Sequence, residues 1–434
     1  MVMEKKIKVV WICIVSNSTL RSRLELGLPK WRKLMSPILN KKLNDIVPDS
    51  AQWNTNALEE FEKIDDVNLH VIFVHPKMLK FVQRFKIDNI NYYAVSNGDS
   101  SFWSFLKLHF APSKMDYKRT WRAIVNLVEE IKPEIIHVMG AENPVYSESI
   151  LFLPNKIPVL VQLQTMLHES VAIQSNPQLK YQKACERDVL MRADYIGSKS
   201  KRFPGIVREY IKKDAVFVNA RLLVAENANI APCDKQFDFV YFASYINKSI
   251  DLAIEAFGIA HHENPNLTLD VIGGTSESEM QALTARMEEL GCKEAVFFEG
   301  KLPTHEDVMK QIRKARFALL PLKIDIVSGT IREAMWNGIP VVSTITVGTP
   351  RLNKNRESLL ISPIGDHEAM AANMLRLAND SELADQLRMN AATTIEEVYG
   401  DNTTRAHEWV EVYRACIDNF KNGTPLPDHI LNKN

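Results

Sequence analysis

The sequence predicts an α/β protein with two doubly wound parallel sheets, and three observations lead to this prediction. The chain has 434 residues, more than one hydrophobic core usually serves, so two domains of about 200 residues are expected. Apolar runs of strand length alternate with amphipathic stretches of helix length in both halves. A polar stretch at 225–236 carries Pro232 and lacks periodicity, so it is predicted to link the two halves.

The first half contains four apolar runs that are typical of buried strands. They lie at 8–15, 68–74, 135–139 and 158–165, and an amphipathic helix is predicted at 117–131. In a doubly wound sheet, ligands bind beyond the carboxyl ends of such strands. The first strand is followed by a Ser-Asn-Ser-Thr turn at 16–19, which contains no glycine, so the sequence lacks the nicotinamide-binding fingerprint.

The second half repeats this alternation. Strands are predicted at 237–242, 267–274 and 318–322, and a helix at 252–257. Gly273 and Gly274 end the second of these strands. A glycine pair at a strand end lets the backbone approach a ligand closely, so both residues are predicted to line a binding site.

The stretch from 318 to 342 is predicted to form a strand, a loop, a short helix and a second strand. Ser328, Gly329 and Thr330 suit the start of the helix, since Ser and Thr cap helices and Gly admits a ligand. Gly338 ends the helix. Amides and the positive dipole end at 328–330 favour an anion such as a diphosphate.

Two carboxylates accompany this helix. Glu333 lies one turn after its start, where it can accept hydrogen bonds from two vicinal hydroxyls of a ribose. Asp325 lies in the loop before the helix, where it can reach a second polyol. Phosphate, ribose and sugar contacts in one βαβ turn together predict a nucleotide-sugar site.

Asp325 and Glu333, eight positions apart, resemble the Glu-x7-Glu signature of retaining glycosyltransferases with the GT-B fold (glycosyltransferase family 4 type, or glycosyl transferases group 1). The continuation EAMWNGIPVV at 333–342 is similar to that of the family, although its first acid is Asp in this chain. The resemblance is strong over 237–395 and loose before residue 130. It implies two Rossmann-like domains facing across a cleft.

The resemblance also implies a domain organisation. Residues 1–224 would form an N-terminal acceptor-side domain, and residues 237–400 would bind the nucleotide-sugar. Residues 401–434 would form a C-terminal helix that returns to the first domain, followed by a tail.

Further site residues come from this resemblance. Lys248 matches a family Lys that contacts the diphosphate, whereas Ser244 stands where relatives carry Arg. Gln164 stands where the family often carries a His near the transferred sugar. Phe298 lies in the segment that resembles the nucleobase site. Arg332 and Lys323 are the residues that could replace the missing Arg.

These observations predict a transferase that moves a hexosyl group from a UDP- or GDP-sugar to a glycan or lipid-linked saccharide, with retention of configuration. No Asp-x-Asp motif suits the site, so we expect neither a metal nor a cofactor besides the donor substrate. A degenerate relative that only binds nucleotide-sugar or glycan is the alternative, and the departures at Asp325, Ser244 and Gln164 keep it open. A GT-B epimerase or phosphorylase fits less well, because the acid pair points to transfer.

The amino-acid composition indicates which class of partner and which cellular compartment to expect. The 53 basic and 53 acidic residues cancel, which argues against nucleic acid as a partner. Five scattered cysteines without metal spacing indicate reduced thiols and a cytoplasmic location. The apolar run at 9–15 is too short to span a bilayer.

Basic residues mixed with apolar and aromatic ones occur at 28–43 and 75–86, and an aromatic cluster lies at 102–108. Such segments suit peripheral contact with an anionic membrane at its inner face. An ordinary amphipathic helix with a solvated basic face explains the pattern equally, and both interpretations stay open.

Overall fold

The structure is a computed structural model that describes residues 6–27, 47, 49–98, 117–164, 167, 177–198, 207–220, 223, 233–245, 249–323, 329–346 and 348–432. The chain divides into two compact units. The first unit comprises Met1–Leu223 together with Asn402–Asn434, and the second comprises Val224–Asp401. The basic segment at 28–43 and the aromatic cluster at 102–108 lie outside the described residues.

The first unit is built on an eight-stranded sheet in the order β3-β4-β2-β1-β5-β6-β7-β8. Its strands are β1 (Ile7–Ile14), β2 (Val67–His75), β3 (Val82–Ile87), β4 (Ile90–Ser96), β5 (Ile135–Met139), β6 (Val159–Gln162), β7 (Tyr195–Gly197) and β8 (Val216–Val218). All neighbouring pairs are parallel except β3 and β4. The helices are α1 (Ser18–Ser22), α2 (Gln52–Phe61), α3 (Lys118–Ile131) and α4 (Pro177–Arg192).

Segment 75–86 does not form the amphipathic helix that was one interpretation of its sequence, so that interpretation is wrong. Its second part belongs to β3, an edge strand paired antiparallel to β4. Phe85 stacks on Tyr92 with ring centroids 5.3 Å apart, while Arg84 and Lys86 face solvent between the apolar positions. This period of two residues is that of a half-buried strand, and the basic side chains lie on its outer face.

The second unit is built on a six-stranded parallel sheet in the order β11-β10-β9-β12-β13-β14. Its strands are β9 (Phe237–Tyr245), β10 (Leu269–Gly274), β11 (Val296–Gly300), β12 (Ala315–Leu320), β13 (Val341–Thr344) and β14 (Leu360–Ser362). Its helices are α5 (Ile250–Glu263), α6 (Glu277–Glu289), α7 (His305–Ile312), α8 (Gly329–Trp336), α9 (His367–Asn379) and α10 (Ser381–Tyr399). The side chains of successive β9 residues pack into different hydrophobic cores. Phe239 belongs to the core on one face of the sheet and Val240 to the core on the other, as expected for a sheet covered on both faces.

The last helix, α11 (Asn402–Asn422), packs into the first unit. The Tyr413 hydroxyl accepts a hydrogen bond from Trp11 Nε1 at 3.0 Å and lies 2.7 Å from His137 Nδ1. Trp409 contacts the Trp11 ring edge-on at 5.7 Å. These buried groups attach α11 to β1 and β5.

None of the described helices is both long enough and apolar enough to cross a membrane.

Candidate functional site

The carboxyl edge of the second sheet positions most of the predicted donor-binding residues that the structure describes. Because all six strands are parallel, their carboxyl ends meet at one edge. Gly273 and Gly274 end β10 there, and Gly273 has φ 149°, a conformation that other residues rarely adopt. Phe298 of β11 is partly buried and packs against the core.

Glu333 lies in α8, which follows β12 at this edge. Its Oε1 atom lies 3.1 Å from His305 Nε2, and the two side chains are only 17% and 21% exposed. When Nε2 carries the proton, the imidazole donates to the carboxylate and fixes its orientation. Glu333 is therefore a held carboxylate at the edge of the sheet where ligands bind.

His305 is a candidate site residue that sequence reasoning missed. It opens α7, and the preceding Thr304 caps this helix by accepting a hydrogen bond from the Asp307 amide at 3.1 Å. The cap fixes the start of α7 and with it the position of the imidazole. A Thr-His-Glu-Asp sequence signals the helix start, but no local pattern reveals a partner 28 residues away.

The start of α8 is formed by Gly329 and Thr330. Among the described atoms, only Arg332 Nη2 lies within 4 Å of the position that a Gly329 Cβ would take, at 3.8 Å. The first turn of an α-helix directs backbone amides outward without intrahelical partners. Because Gly329 has no side chain, it adds no group that would block an anion from these amides.

The two residues predicted as substitute cations differ in their surroundings. Lys323 Nζ lies 2.5 Å from Asp251 Oδ2, so its charge is already compensated by the first turn of α5. Arg332 is buried at 9% exposure, and its guanidinium lies over the Tyr399 ring at 5.2 Å. Of these two cations, only Lys323 has a carboxylate partner within the described part of the chain.

Several predicted site residues cannot be placed against this geometry. Asp325, Ser328 and Lys248 lie outside the described residues. Ser244 belongs to β9, and only its backbone is described.

Gln164 belongs to the first unit and lies just beyond the end of β6. Its Oε1 lies 3.3 Å from the position that a Cβ of Gly140 would take, and Glu142 Oε2 lies at the same distance from that point. Gly140 follows β5 and has φ 102°, so glycine is required there. Gln164 Nε2 is shielded from solvent and has no hydrogen-bond partner among the described residues. Among these residues, its amide therefore leaves one donor unused at the carboxyl edge of the first sheet.

Within the described parts of both units, no three His, Cys, Asp or Glu side chains are grouped closely enough to hold a metal ion.

Comparison with solved structures identifies the architecture. The sucrose-phosphate synthase structure from Thermosynechococcus elongatus aligns with a TM-score of 0.66 at 14% identity, covering 94% of this chain and 98% of that one. The chain has the GT-B fold. An E. coli structure described as trehalose-6-phosphate bound with UDP-2-fluoro glucose aligns with this GT-B chain at a TM-score of 0.62 and 11% identity, covering 94% and 99% of the two chains.

Sequence comparison locates the family resemblance in the second unit. Residues 226–394 match the family described as Glycosyl transferases group 1. The amylovoran biosynthesis glycosyltransferase AmsK of Erwinia amylovora is 29% identical over 138 residues, which are 30% of this chain and 33% of AmsK. The match thus spans about a third of that relative. The family match at 226–394 includes the β12–α8 segment that carries Glu333.

Proposed function

We propose that the protein transfers a hexosyl group from a UDP- or GDP-sugar to a glycan or lipid-linked saccharide acceptor, with retention of anomeric configuration. The observation that carries the proposal is the Glu333 carboxylate, which is held by His305 at 3.1 Å and belongs to α8, the helix that begins at Gly329. This arrangement lies within the segment that matches group 1 glycosyl transferases. The UDP-2-fluoro glucose bound in the E. coli neighbour supports a nucleotide-sugar as donor.

In this proposal, the donor occupies the carboxyl edge of the second sheet. The amides at 328–330 and Lys248 hold the diphosphate, and Glu333 accepts hydrogen bonds from the ribose hydroxyls. Asp325 contacts the transferred sugar. Ser244, Gly273, Gly274 and the backbone around Phe298 line the remainder of the donor site.

The acceptor is assigned to the first unit in this proposal. The unused Nε2 donor of Gln164 suits a hydroxyl oxygen near the transferred sugar. Gln cannot exchange a proton near neutral pH, so its role is positioning and not general base catalysis. Charge on the departing diphosphate rests on protein groups, so no metal ion takes part.

The decisive experiment is a donor screen that scores nucleotide release with mixed saccharide acceptors. We expect release from at least one UDP- or GDP-sugar, and a strong decrease for Glu333→Gln. Glu368→Gln, the same change at an exposed residue of α9, is the matched control and should leave release unchanged. Nucleotide-sugar binding without release in every mixture would instead favour the binding-module alternative.

A further inference from the structure

Among the described residues, Arg332 is a buried cation without an anion. The residue is 9% exposed, and its Nε atom has no hydrogen-bond partner in this part of the chain. Among the described residues, the Arg332 guanidinium lies over the Tyr399 ring, with its carbon atom 5.2 Å from the ring centroid. No described carboxylate pairs with it.

This arrangement is unfavourable for the protein alone. Arginine does not lose its proton in proteins, so burial cannot be relieved by neutralisation. A buried charge is normally paired and hydrogen-bonded, and an aromatic ring compensates only part of the lost hydration. Unfavourable features of this kind persist where a ligand or a function requires them.

The guanidinium lies at the amino end of α8. Helices α8 and α10 run antiparallel: Arg388 of α10 donates from Nε to the Gly338 carbonyl at 3.2 Å, while Tyr399 at the end of α10 lies under Arg332. Arg332 Nη2 is 3.8 Å from the Cβ position of Gly329, the first residue of α8. The cation thus lies beside the first turn, where backbone amides and the helix dipole also favour an anion.

We propose that Arg332 binds the donor diphosphate and provides the cation that Ser244 does not. This inference rests on the proposed function, because that function supplies the diphosphate. A planar guanidinium can bind two phosphate oxygens at once, and the competing candidate Lys323 is already paired with Asp251.

The same contact assists the reaction. During transfer, the bond between the anomeric carbon and the diphosphate oxygen breaks, and its electron pair stays on that oxygen. The anomeric carbon bonds to the acceptor oxygen, whose proton passes to the diphosphate or to water. Negative charge therefore grows on the diphosphate, where Arg332 stabilises it more strongly in the transition state than in the bound donor.

The test compares ligands with and without the diphosphate. Calorimetry measures the binding of UDP, GDP, uridine and guanosine to the full-length chain, to Arg332→Met and to Arg332→Lys. We expect Arg332→Met to weaken the binding of the nucleoside diphosphate tenfold or more, with nucleoside binding unchanged and partial rescue by Lys. Arg388→Met, which alters the other end of the α8–α10 contact, should bind all four ligands as the wild type does.

Thermal unfolding distinguishes diphosphate binding from a purely structural role, because the two roles predict opposite changes in melting temperature. If Arg332 is kept for an anion, Arg332→Met should raise the melting temperature without ligand, and the diphosphate should then stabilise the variant less than the wild type. A less stable variant that also loses nucleoside binding would show that Arg332 only supports α8, and would overturn the proposal.

The two proposals fail in different ways. If the wild type and Arg332→Met bind the nucleoside diphosphate equally, Arg332 does not bind the diphosphate, while the proposed function stands. If the wild type binds neither UDP nor GDP, the donor class itself is wrong and both proposals fall.

Discussion

Asp270→Asn should stabilise the second unit at neutral pH. Asp270 is the second residue of β10 and has 0% exposure. Gln311 Nε2 donates to its Oδ2 at 2.9 Å, but Oδ1 has no hydrogen-bond partner among the described residues. Burial raises the pKa of this carboxyl from 3.8 to about 6. At pH 7 the carboxyl is therefore mostly ionised in a buried position, and this ionisation destabilises the folded state.

The size of the effect follows from that pKa. Below 3.8 the carboxyl is protonated in both the folded and the unfolded state, and its ionisation costs no stability. As pH rises, ionisation destabilises the folded state by about 1 kcal/mol at pH 4.5 and about 3 kcal/mol above pH 7. Asn resembles the protonated acid, because both can place a donor where Oδ1 now lies. The variant should therefore gain about 3 kcal/mol at pH 7.5.

Scanning calorimetry at pH 4.5 and 7.5 checks this expectation. For a unit of the size of residues 224–401, about 3 kcal/mol corresponds to a melting temperature higher by roughly 6 to 12 °C at pH 7.5. The gain should shrink to about a third of this at pH 4.5. Asp385→Asn, at an exposed side chain, is the control and should change stability little at either pH. An equal gain at both pH values, or a less stable variant at pH 7.5, would refute the reasoning.

Three further predictions concern the site and the surface. Glu333→Gln should weaken nucleotide binding about tenfold or more, since charge-assisted hydrogen bonds contribute roughly 1.5–3 kcal/mol; unchanged affinity in calorimetry would contradict the ribose assignment. His305→Ala should weaken nucleotide binding less than Glu333→Gln, since the carboxylate remains but is no longer oriented; a larger loss would mean that His305 itself contacts the ligand. Changing Lys30, Arg32 and Lys33 together to Glu should release the protein from anionic liposomes in flotation, with donor affinity intact, because each basic residue near such a surface contributes about 1 kcal/mol; equal recovery of both proteins would leave these residues as solvated surface.

A prediction about chelation follows separately from the proposed metal-free site. Transfer should continue in EDTA, since Lys248, helix amides and Arg332 are proposed to hold the diphosphate. Activity lost in EDTA and restored by Mg²⁺ or Mn²⁺ would show that a metal ion holds the diphosphate.

The fold could be predicted because the sequence patterns that indicate its strands and helices are local. The strand at Ile135–Met139 is an apolar run whose bounds the sequence predicts correctly, since a strand buried on both faces contains hardly any polar residues. Strand β12 begins at Ala315, three residues before the predicted start, because exposed Arg316 interrupts the apolar run. Segment 75–86 was misinterpreted because basic and apolar residues alternate both on helices and on edge strands, and only the pairing partner decides between them.

The candidate site was predictable only in part. Glu333 was found from its position in a helix that follows a strand. Its contact with His305 depends on how α7 and α8 pack, and no spacing in the sequence encodes that distance. The burial of Arg332 is likewise a property of the contact between α8 and α10, since its neighbours in sequence do not determine whether Tyr399 covers it.

The position of α11 has a consequence for synthesis on the ribosome. The first unit needs Tyr413 and Trp409 to cover Trp11, so its core stays incomplete until the chain has been translated past residue 413. The second unit is continuous in sequence and is complete at residue 401. At about 5–20 residues per second, the nascent first unit therefore exposes its apolar sheet for many seconds while the whole second unit is made. The second unit, although later in the sequence, can therefore complete its core before the first unit does.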